Sequence, residues 1–370
     1  MEQSVKPNHQ VSPYFAFILI HGPQIGVGVL GYQRILIEGA GQDSWIAVIT
    51  AGLAVSILIA MCYYILNFEQ CDLSDIHRIY FGRIFGGIAN LAWALYFFAL
   101  LITIYRTYIE VVQVWMFPLT KTWVISIVFV PLLYYIIMGG FRVISGMIYF
   151  SILFPLPLVI GLIFPMDYAH VENILPILEH SAKELFISHK TMTYEYLGFE
   201  FVLLYYPFIK NAHKSHKWAQ GGNLLTILIY LILTLVSFMY FSQGQLGHAI
   251  WATLTMAKII EIPFIQRFEY VIIAMWLFVI LPGLCLTSWG FVRMFKKQFG
   301  GKSSWYLRLV MVLLFLAAIY FKDRQAINLL NDKVSKIGYY LIYGYIPFLF
   351  IIAFIRKRIK TKKAQRNASL

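Results

Sequence analysis

Ten apolar stretches, each close in length to the thickness of a bilayer, recur along the 370-residue chain. A helix needs about 20 apolar residues to cross the hydrocarbon core of a membrane. The stretches, numbered here as spans 1 to 10, cover residues 13–32, 45–66, 84–115, 122–139, 144–164, 193–211, 223–241, 269–293, 305–321 and 338–355. Only 13% of the residues are charged, about half the share of a soluble domain. The sequence therefore predicts an all-α integral membrane protein with ten transmembrane helices.

The net charge of +13 is distributed over short loops and a basic C-terminal tail, residues 356–370, and not over one soluble face. If both termini are cytoplasmic, the cytoplasmic loops and the tail hold most of the lysines and arginines, as the positive-inside rule requires. We therefore expect cytoplasmic N and C termini, contact with membrane lipid, and no nucleic-acid partner. The first residues are polar and no cleavage site follows span 1, so we expect no cleaved signal peptide.

The ten spans divide into five plus five, and an odd number in each half makes the second half run inverted relative to the first. Inverted repeats of this kind build many secondary transporters. We expect one transporter-like domain over residues 1–370, with repeat one at about 12–165 and repeat two at about 193–356. Amphipathic helices are predicted within 166–192, from the spacing of its leucines, and within 242–268; each is either a lid or a helix resting on the membrane surface.

Span 1 is interrupted by the sequence HGPQIGVGVLG, which contains Gly22, Pro23, Gly26 and Gly28. Glycine and proline disfavour an unbroken helix, and irregular backbone survives in a membrane only where protein or a water-filled cavity satisfies it. One interpretation is a break whose free amides bind a carboxylate. The alternative is close packing of the glycines against a neighbouring helix, because Gly22 and Gly26 have GxxxG spacing.

Span 6 reads YEYLGFEFVLLYYPFIK, with Gly198 and Glu200 near its middle and Pro207 further on. An ionisable residue at this depth is a functional candidate, and the alternative is a protonated or hydrogen-bonded glutamate that faces the bundle. Spans 1 and 6 correspond in the two halves, and interrupted helices in corresponding positions indicate a binding site.

Arg106 and Glu110 lie four residues apart on span 3 and could pair with each other. Both lie toward the outer end of the span, which favours a structural or gating pair over contact with a ligand. Tyr96 lies on the same span, and it becomes a candidate only if it lies close to the interrupted segments.

Thr287 and Ser288 on span 8 could bind a cation, or they could bond their own i−4 carbonyls. His21 precedes the interruption of span 1 and could line a pocket or bond a neighbouring carbonyl. The sequence contains no P-loop, dinucleotide fingerprint, serine elbow or metal-ligand spacing. We therefore expect no enzymatic activity, no cofactor and no metal.

Three segments carry a resemblance to a known family: QIGVGVLGYQR in span 1, YLGFEFVLLYYPFIKNAHKSHK in span 6 and IEIPFIQRFEYVII before span 8. They resemble the spore germination permeases, the B subunits of nutrient germinant receptors. This family is similar to the amino acid–polyamine–organocation transporters, which have a five-plus-five inverted repeat. The resemblance implies a small nutrient, often an amino acid, bound between spans 1, 3, 6 and 8. It also implies partner A and C subunits and a place in the inner membrane of the spore.

The resemblance also implies which residues bind the ligand. They are Gly22, Ile25, Gly26, Gly28, Gly198, Phe199 and Glu200. Tyr96 of span 3 is added to these as a candidate ligand-binding residue. One departure is that span 5 lacks the lysine that replaces sodium in some proton-coupled relatives of the superfamily.

Three functions remain open from the sequence. The first is a nutrient sensor that signals to its partner subunits. The second is a proton- or sodium-coupled amino-acid permease, in which Glu200 would carry the proton and Thr287 with Ser288 would bind the ion. The third is a scaffold whose pocket is not used.

Overall fold

A computed structural model describes residues 5–155, 161–260 and 267–368, and these residues form helices. Within these ranges the extended pairing is a single bridge between Val11 and Ile209, so the predicted all-α class is confirmed there. The longer helices are α1 (Phe15–Gln24), α2 (Tyr32–Ala40), α3 (Trp45–Glu69), α4 (Leu73–Trp115), α5 (Thr122–Met138), α6 (Phe141–Leu153), α7 (Ala182–Glu195), α8 (His216–Tyr240), α9 (Gln243–His248), α10 (Ala252–Ala257), α11 (Phe268–Phe299), α12 (Ser303–Tyr320), α13 (Arg324–Tyr340) and α14 (Ile346–Ala368). Short helical turns occur at Pro7–His9, Gly28–Leu30, Gly41–Ser44, Ile163–Met166, Val171–Ile174, Phe199–Phe208 and Ala212–Ser215.

Six helical segments of the described chain are long and apolar enough to cross a membrane, and a seventh is added if the bent pair α5 and α6 is one span. The chain is therefore a multi-pass membrane protein. Predicted spans 1 and 6 are interrupted, so neither forms a helix of full length, and predicted spans 4 and 5 form the pair that bends by 119°. The count of ten spans and the inverted repeat stay predictions for this reason.

Helix α1 lies in the interior of the bundle, in contact with α6, α8 and α11. Its residues Ala16, Leu19 and Ile20 have no exposed surface. Within the described ranges the most extensive helix contact is between α4 and α11, and α11 also packs against α1. The interruption that follows α1 is therefore surrounded by protein, as irregular backbone in a membrane must be.

An ion-pair cluster joins the turn between α3 and α4 to the end of α11. The buried carboxylate of Asp72 accepts from Nε and Nη2 of Arg293 at 2.9 and 2.5 Å and from Nζ of Lys297 at 2.9 Å. Asp75 also pairs with Lys297. Two hydrogen bonds from one guanidinium fix both the distance and the angle between the two helix ends.

The amphipathic helix predicted within 166–192 is wrong in its first half. Helix α7 begins only at Ala182, because Ser181 and Glu184 form a reciprocal capping box that starts the helix there. Leu175 and Leu178, which the leucine spacing assigned to the helix, precede this cap, and Leu178 has a φ of +65°. The other predicted segment, 242–268, contains the short helices α9 and α10, and its residues 261–266 lie outside the described part.

Candidate functional site

The interruption of span 1 begins later than the glycines predicted. Helix α1 continues through Pro23 to Gln24, because the amide of Ile25 still reaches the carbonyls of His21 and Gly22 at 3.2 Å. The backbone then becomes extended at Ile25, with φ −96° and ψ 96°, and passes through the turn Gly28–Leu30 before α2.

Gly22 therefore lies inside α1 and not in the break. A Cβ atom at Gly22 would lie 2.5 Å from Cγ2 of Ile148 in α6. This is the packing role that the sequence offered as the alternative for a glycine at this spacing.

Four consecutive amides are left free by the break. The N–H groups of Gly26, Val27, Gly28 and Val29 donate no hydrogen bond to any acceptor in the part of the chain that the structure describes. The carbonyl of Gly26 accepts from Nε1 of Trp276 in α11 at 3.2 Å, which holds the break in place. Successive unbonded amides form a concave surface of partial positive charge that suits an anionic group.

The interruption of span 6 lies directly against the first break. Helix α7 ends at Glu195, and Gly198 adopts a φ of +123°, which side chains rarely allow. A Cβ atom at Gly198 would lie 2.8 Å from the carbonyl carbon and Cβ of Pro23. Only a glycine lets the two interrupted segments approach this closely.

Glu200 is buried just after this break and both of its carboxylate oxygens are hydrogen-bonded. Oε2 accepts from the amide of Gly198 at 2.7 Å, and Oε1 accepts from the hydroxyl of Tyr96 in α4 at 3.0 Å. Phe199 is buried beside it. The proximity that the sequence required of Tyr96 is thus present. Glu200 here fastens the break of span 6 to α4, which agrees with the hydrogen-bonded glutamate of the alternative interpretation.

Glu195 is the acidic residue that our sequence reasoning missed. Its carboxylate is in direct contact with Gly28, so a side chain at that position would overlap it. The hydroxyl of Tyr230 lies 2.9 Å from the carbonyl of Gln24 and only 3.5 Å from Oε2 of Glu195. The sequence did offer an indication of this residue, since Glu195 is a glutamate at the start of an apolar span, on the other side of Gly198 from Glu200.

Polar side chains tie the end of α1 to α8. Nε2 of Gln24 donates to Oδ1 of Asn223 at 3.0 Å, and Oε1 of Gln24 accepts from the hydroxyl of Thr226 at 2.8 Å. Nδ1 of His21 lies 2.8 Å from the same hydroxyl. Of the two alternatives for His21, the bond to a neighbouring carbonyl is not the one seen, because its partner is a side chain of another helix.

The ion or gating candidates lie elsewhere. The hydroxyls of Thr287 and Ser288 donate to the i−4 carbonyls of Gly283 and Leu284 at 2.6 and 2.8 Å, which is the alternative that the sequence favoured. Their only hydrogens are therefore used within α11, and their geometry is that of ordinary helix hydroxyls.

The suggested pair between Arg106 and Glu110 is replaced by longer-range contacts. Glu110 pairs with Arg324 at 2.7 Å, and Arg106 donates to the carbonyls of Phe321 and Lys322 at 2.6 and 3.2 Å. Both contacts fasten α4 to the start of α13, so the structural interpretation of these residues has direct support.

The two breaks together bring groups of opposite character close to each other. The free amides of residues 26–29 can donate to a carboxylate, and Glu195 next to Gly28 can accept from an ammonium group. A small zwitterion has both groups. Among the residues predicted to bind the ligand, Ile25, Gly26, Gly28 and Gly198 lie along this contact, while Glu200 and Tyr96 bond each other behind it.

Comparisons with known proteins agree on one family. The sequence model of a family described as "Spore germination protein" matches residues 10–327. The chain is 42% identical over 344 residues to spore germination protein GerQB of Bacillus cereus, which covers 93% of this chain and 96% of that protein. It is 25% identical over 370 residues to spore germination protein B2 of Bacillus subtilis strain 168, covering 96% of this chain and 98% of that protein. Spore germination protein A2 of the same strain is 22% identical, over 93% of this chain and 95% of its own length.

Proposed function

The chain belongs to the spore germination protein family, and from this premise we propose that it is the nutrient-sensing B subunit of a germinant receptor. It binds an amino acid or a similar small nutrient between spans 1 and 6 and signals to partner A and C subunits. The proposal includes ten spans in two inverted repeats, cytoplasmic termini and a place in the inner membrane of the spore.

The proposal of a zwitterionic ligand rests on one observation, which is that unbonded amides and a carboxylate lie together where the two breaks touch. The amides of Gly26 to Val29 have no acceptor among the described residues, and Glu195 contacts Gly28. The nutrient carboxylate is proposed to accept from the amides, and its ammonium group to donate to Glu195. The first interaction supplies an acceptor for amides that have none among the described residues, and an unmet donor costs about 1–3 kcal/mol where it is buried.

Signalling is proposed to start from the same contact. A ligand shifts a conformational equilibrium only as far as it binds one state better than the other. A zwitterion held by residues 26–29 and by Glu195 bridges the two interrupted segments, and it stabilises the state in which they touch. A movement at the break then reaches α1 through the contact of Gly198 with Pro23, and it reaches α4 through the hydrogen bond of Glu200 with Tyr96.

The test measures binding and uptake of a panel of radiolabelled amino acids by the full-length chain in liposomes. Saturable binding without accumulation supports the sensor. Accumulation that follows an imposed proton or sodium gradient overturns it in favour of a coupled permease, and the absence of binding for every nutrient overturns it in favour of a scaffold.

A matched pair of variants tests the ligand contact in spores. Glu195→Gln removes the charge from the ammonium partner, and the nutrient concentration for half-maximal germination should rise roughly tenfold to hundredfold, the value of a charge-assisted hydrogen bond. Glu172→Gln, at an exposed position outside the breaks, should leave the dose–response curve unchanged. Equal curves for the Glu195 variant and the unmodified protein, at equal protein levels, contradict the assignment.

A further inference from the structure

An apolar cavity lies beside α1, apart from Glu195 and Glu200. It has a volume of about 130 Å³ and is lined by residues of α1, α6, α8, α10 and α11 and by residues of the segments 28–30 and 161–165. Its wall includes Ile25, Leu225, Ile229, Met256, Trp276 and Val279. Neither Glu195 nor Glu200 lines it. The cavity is therefore distinct from the contact between the two breaks, although Ile25 and Val29 belong to both regions.

Among the described residues of the cavity wall, Ser151 and Thr253 already use their hydroxyl hydrogens within the protein. The hydroxyl of Ser151 donates to the carbonyl of Ile148 at 2.7 Å, and the hydroxyl of Thr253 donates to the carbonyl of Val29 at 2.8 Å. Each hydroxyl has a single hydrogen, so neither has a donor left for a bound molecule. His21 is a further polar residue of this part of the wall, and only 3% of its surface is exposed.

The hydrogen bonds around His21 fix which ring nitrogen carries the proton. Thr226 lies between Nδ1 of His21 at 2.8 Å and two carbonyl oxygens, Oε1 of Gln24 at 2.8 Å and the backbone oxygen of Gly222 at 3.1 Å. Carbonyl oxygens only accept, so the single hydroxyl hydrogen of Thr226 goes to one of them. Nδ1 of a neutral His21 must therefore donate to Thr226, and Nε2 keeps its lone pair. Nε2 has no hydrogen-bond partner within the described ranges.

We propose that this cavity binds a small neutral molecule with an aliphatic or aromatic body and one hydroxyl or N–H donor, which bonds Nε2 of His21. An apolar protein cavity of about 150 Å³ binds benzene, so the body is expected to have about six carbon atoms. Among the described residues that line the cavity none is charged, so a charged head group would have no partner in this part of the wall. This inference does not depend on the proposed nutrient site.

Occupation of the cavity acts on the break of span 1. Ile25 is the first extended residue after α1, and Trp276 holds the carbonyl of Gly26. Both side chains line the cavity, so a bound molecule packs against the two groups that set the position of residues 25 and 26. The neutral molecule is therefore a modulator of the break.

The test uses photolabelling of the full-length chain in liposomes with a six-carbon primary alcohol that carries a diazirine. Adducts are mapped by mass spectrometry after irradiation at increasing probe concentration. The expected result is saturable labelling of cavity residues such as Ile229 and Met256, which excess 1-hexanol suppresses and hexanoate does not. Labelling that never saturates and is confined to lipid-facing residues such as Leu224 and Leu228 would overturn the proposal.

Matched variants locate the site. Ile229→Trp fills the cavity and should lower the saturable labelling at least tenfold, while Leu228→Trp, whose side chain is 51% exposed on the same helix, should not change it. Ala257→Leu fills the cavity from α10 and serves if Ile229→Trp fails to fold by circular dichroism and gel filtration. An equal effect of the Ile229 and Leu228 variants contradicts the assignment.

A third variant tests the head group. His21→Leu removes the acceptor, and the concentration of 1-hexanol that halves the labelling should rise roughly threefold to tenfold, the value of one neutral hydrogen bond. Benzene has no donor, so its competition with the probe should be the same for the variant and the unmodified chain. If the variant weakens the competition of 1-hexanol and of benzene to the same extent, the result contradicts a hydrogen bond to His21.

Discussion

The hydroxyl of Tyr96 donates to Oε1 of Glu200 at 3.0 Å, between residues 104 positions apart in the chain. The other oxygen of the same carboxylate accepts from the amide of Gly198. One buried glutamate thus connects the interrupted segment after α7 to α4. The bond explains how an acidic side chain is tolerated at this depth, since both of its oxygens have a donor.

We expect Tyr96→Phe to destabilise the protein by about 1–3 kcal/mol, because Oε1 of Glu200 is left buried without a donor. The measurement is thermal unfolding of the purified chain in detergent. Tyr135→Phe is the control, since the Tyr135 side chain is 79% exposed and its loss should change stability by less than about 0.5 kcal/mol. The same unfolding temperature for both variants contradicts the role given to the bond.

Gly198→Ala should destabilise the protein by at least about 2 kcal/mol, through strain at a φ of +123° and overlap with Pro23. The protein should also lose its nutrient response, because the breaks separate. Gly146→Ala in α6 is the matched control, since nothing lies within 4 Å of a Cβ atom there. Unfolding temperature and germination are measured for both, and a Gly198 variant that behaves like the Gly146 variant argues against contact of the breaks.

Asp72→Asn should cost about 3–5 kcal/mol, because it leaves Arg293 and Lys297 partly buried near one another without this carboxylate. Asp332→Asn removes an exposed ion pair with Lys336 and should cost less than about 1 kcal/mol. Thermal unfolding of the two variants side by side checks the difference. Similar losses of stability in the two variants would mean that the ion-pair cluster of Asp72 with α11 stabilises the protein no more than a surface ion pair does.

Combined substitution of Thr287→Ala and Ser288→Ala should leave nutrient binding equal in sodium and in choline buffers. The reason is that both hydroxyls already donate to carbonyls within α11. Binding is measured in liposomes with each salt, for the variant and for the unmodified chain. A sodium-dependent affinity that disappears in the variant would restore these residues as ion ligands and favour the permease.

The sequence alone determined that this protein lies in a membrane and where its membrane helices are interrupted. Long apolar stretches with few charges make the chain helical and multi-pass, because backbone polar groups in lipid must be satisfied within the segment. The glycines and prolines of residues 21–31 and of span 6 marked both interruptions, since their effect on the backbone is local. The motifs around these interruptions also indicated the family.

Only the tertiary structure decided which side chains meet at the interruptions. Helical phase relates residues along an unbroken helix, but it is lost at Gly198, so the sequence could not tell which of Glu195 and Glu200 faces span 1. Gly28 contacts Glu195, and Glu200 turns to Tyr96. Glu110 likewise pairs with Arg324, 214 positions away, and not with its helical neighbour. These pairings depend on how helices that are distant in the chain pack together, and a local sequence pattern contains no information on such contacts.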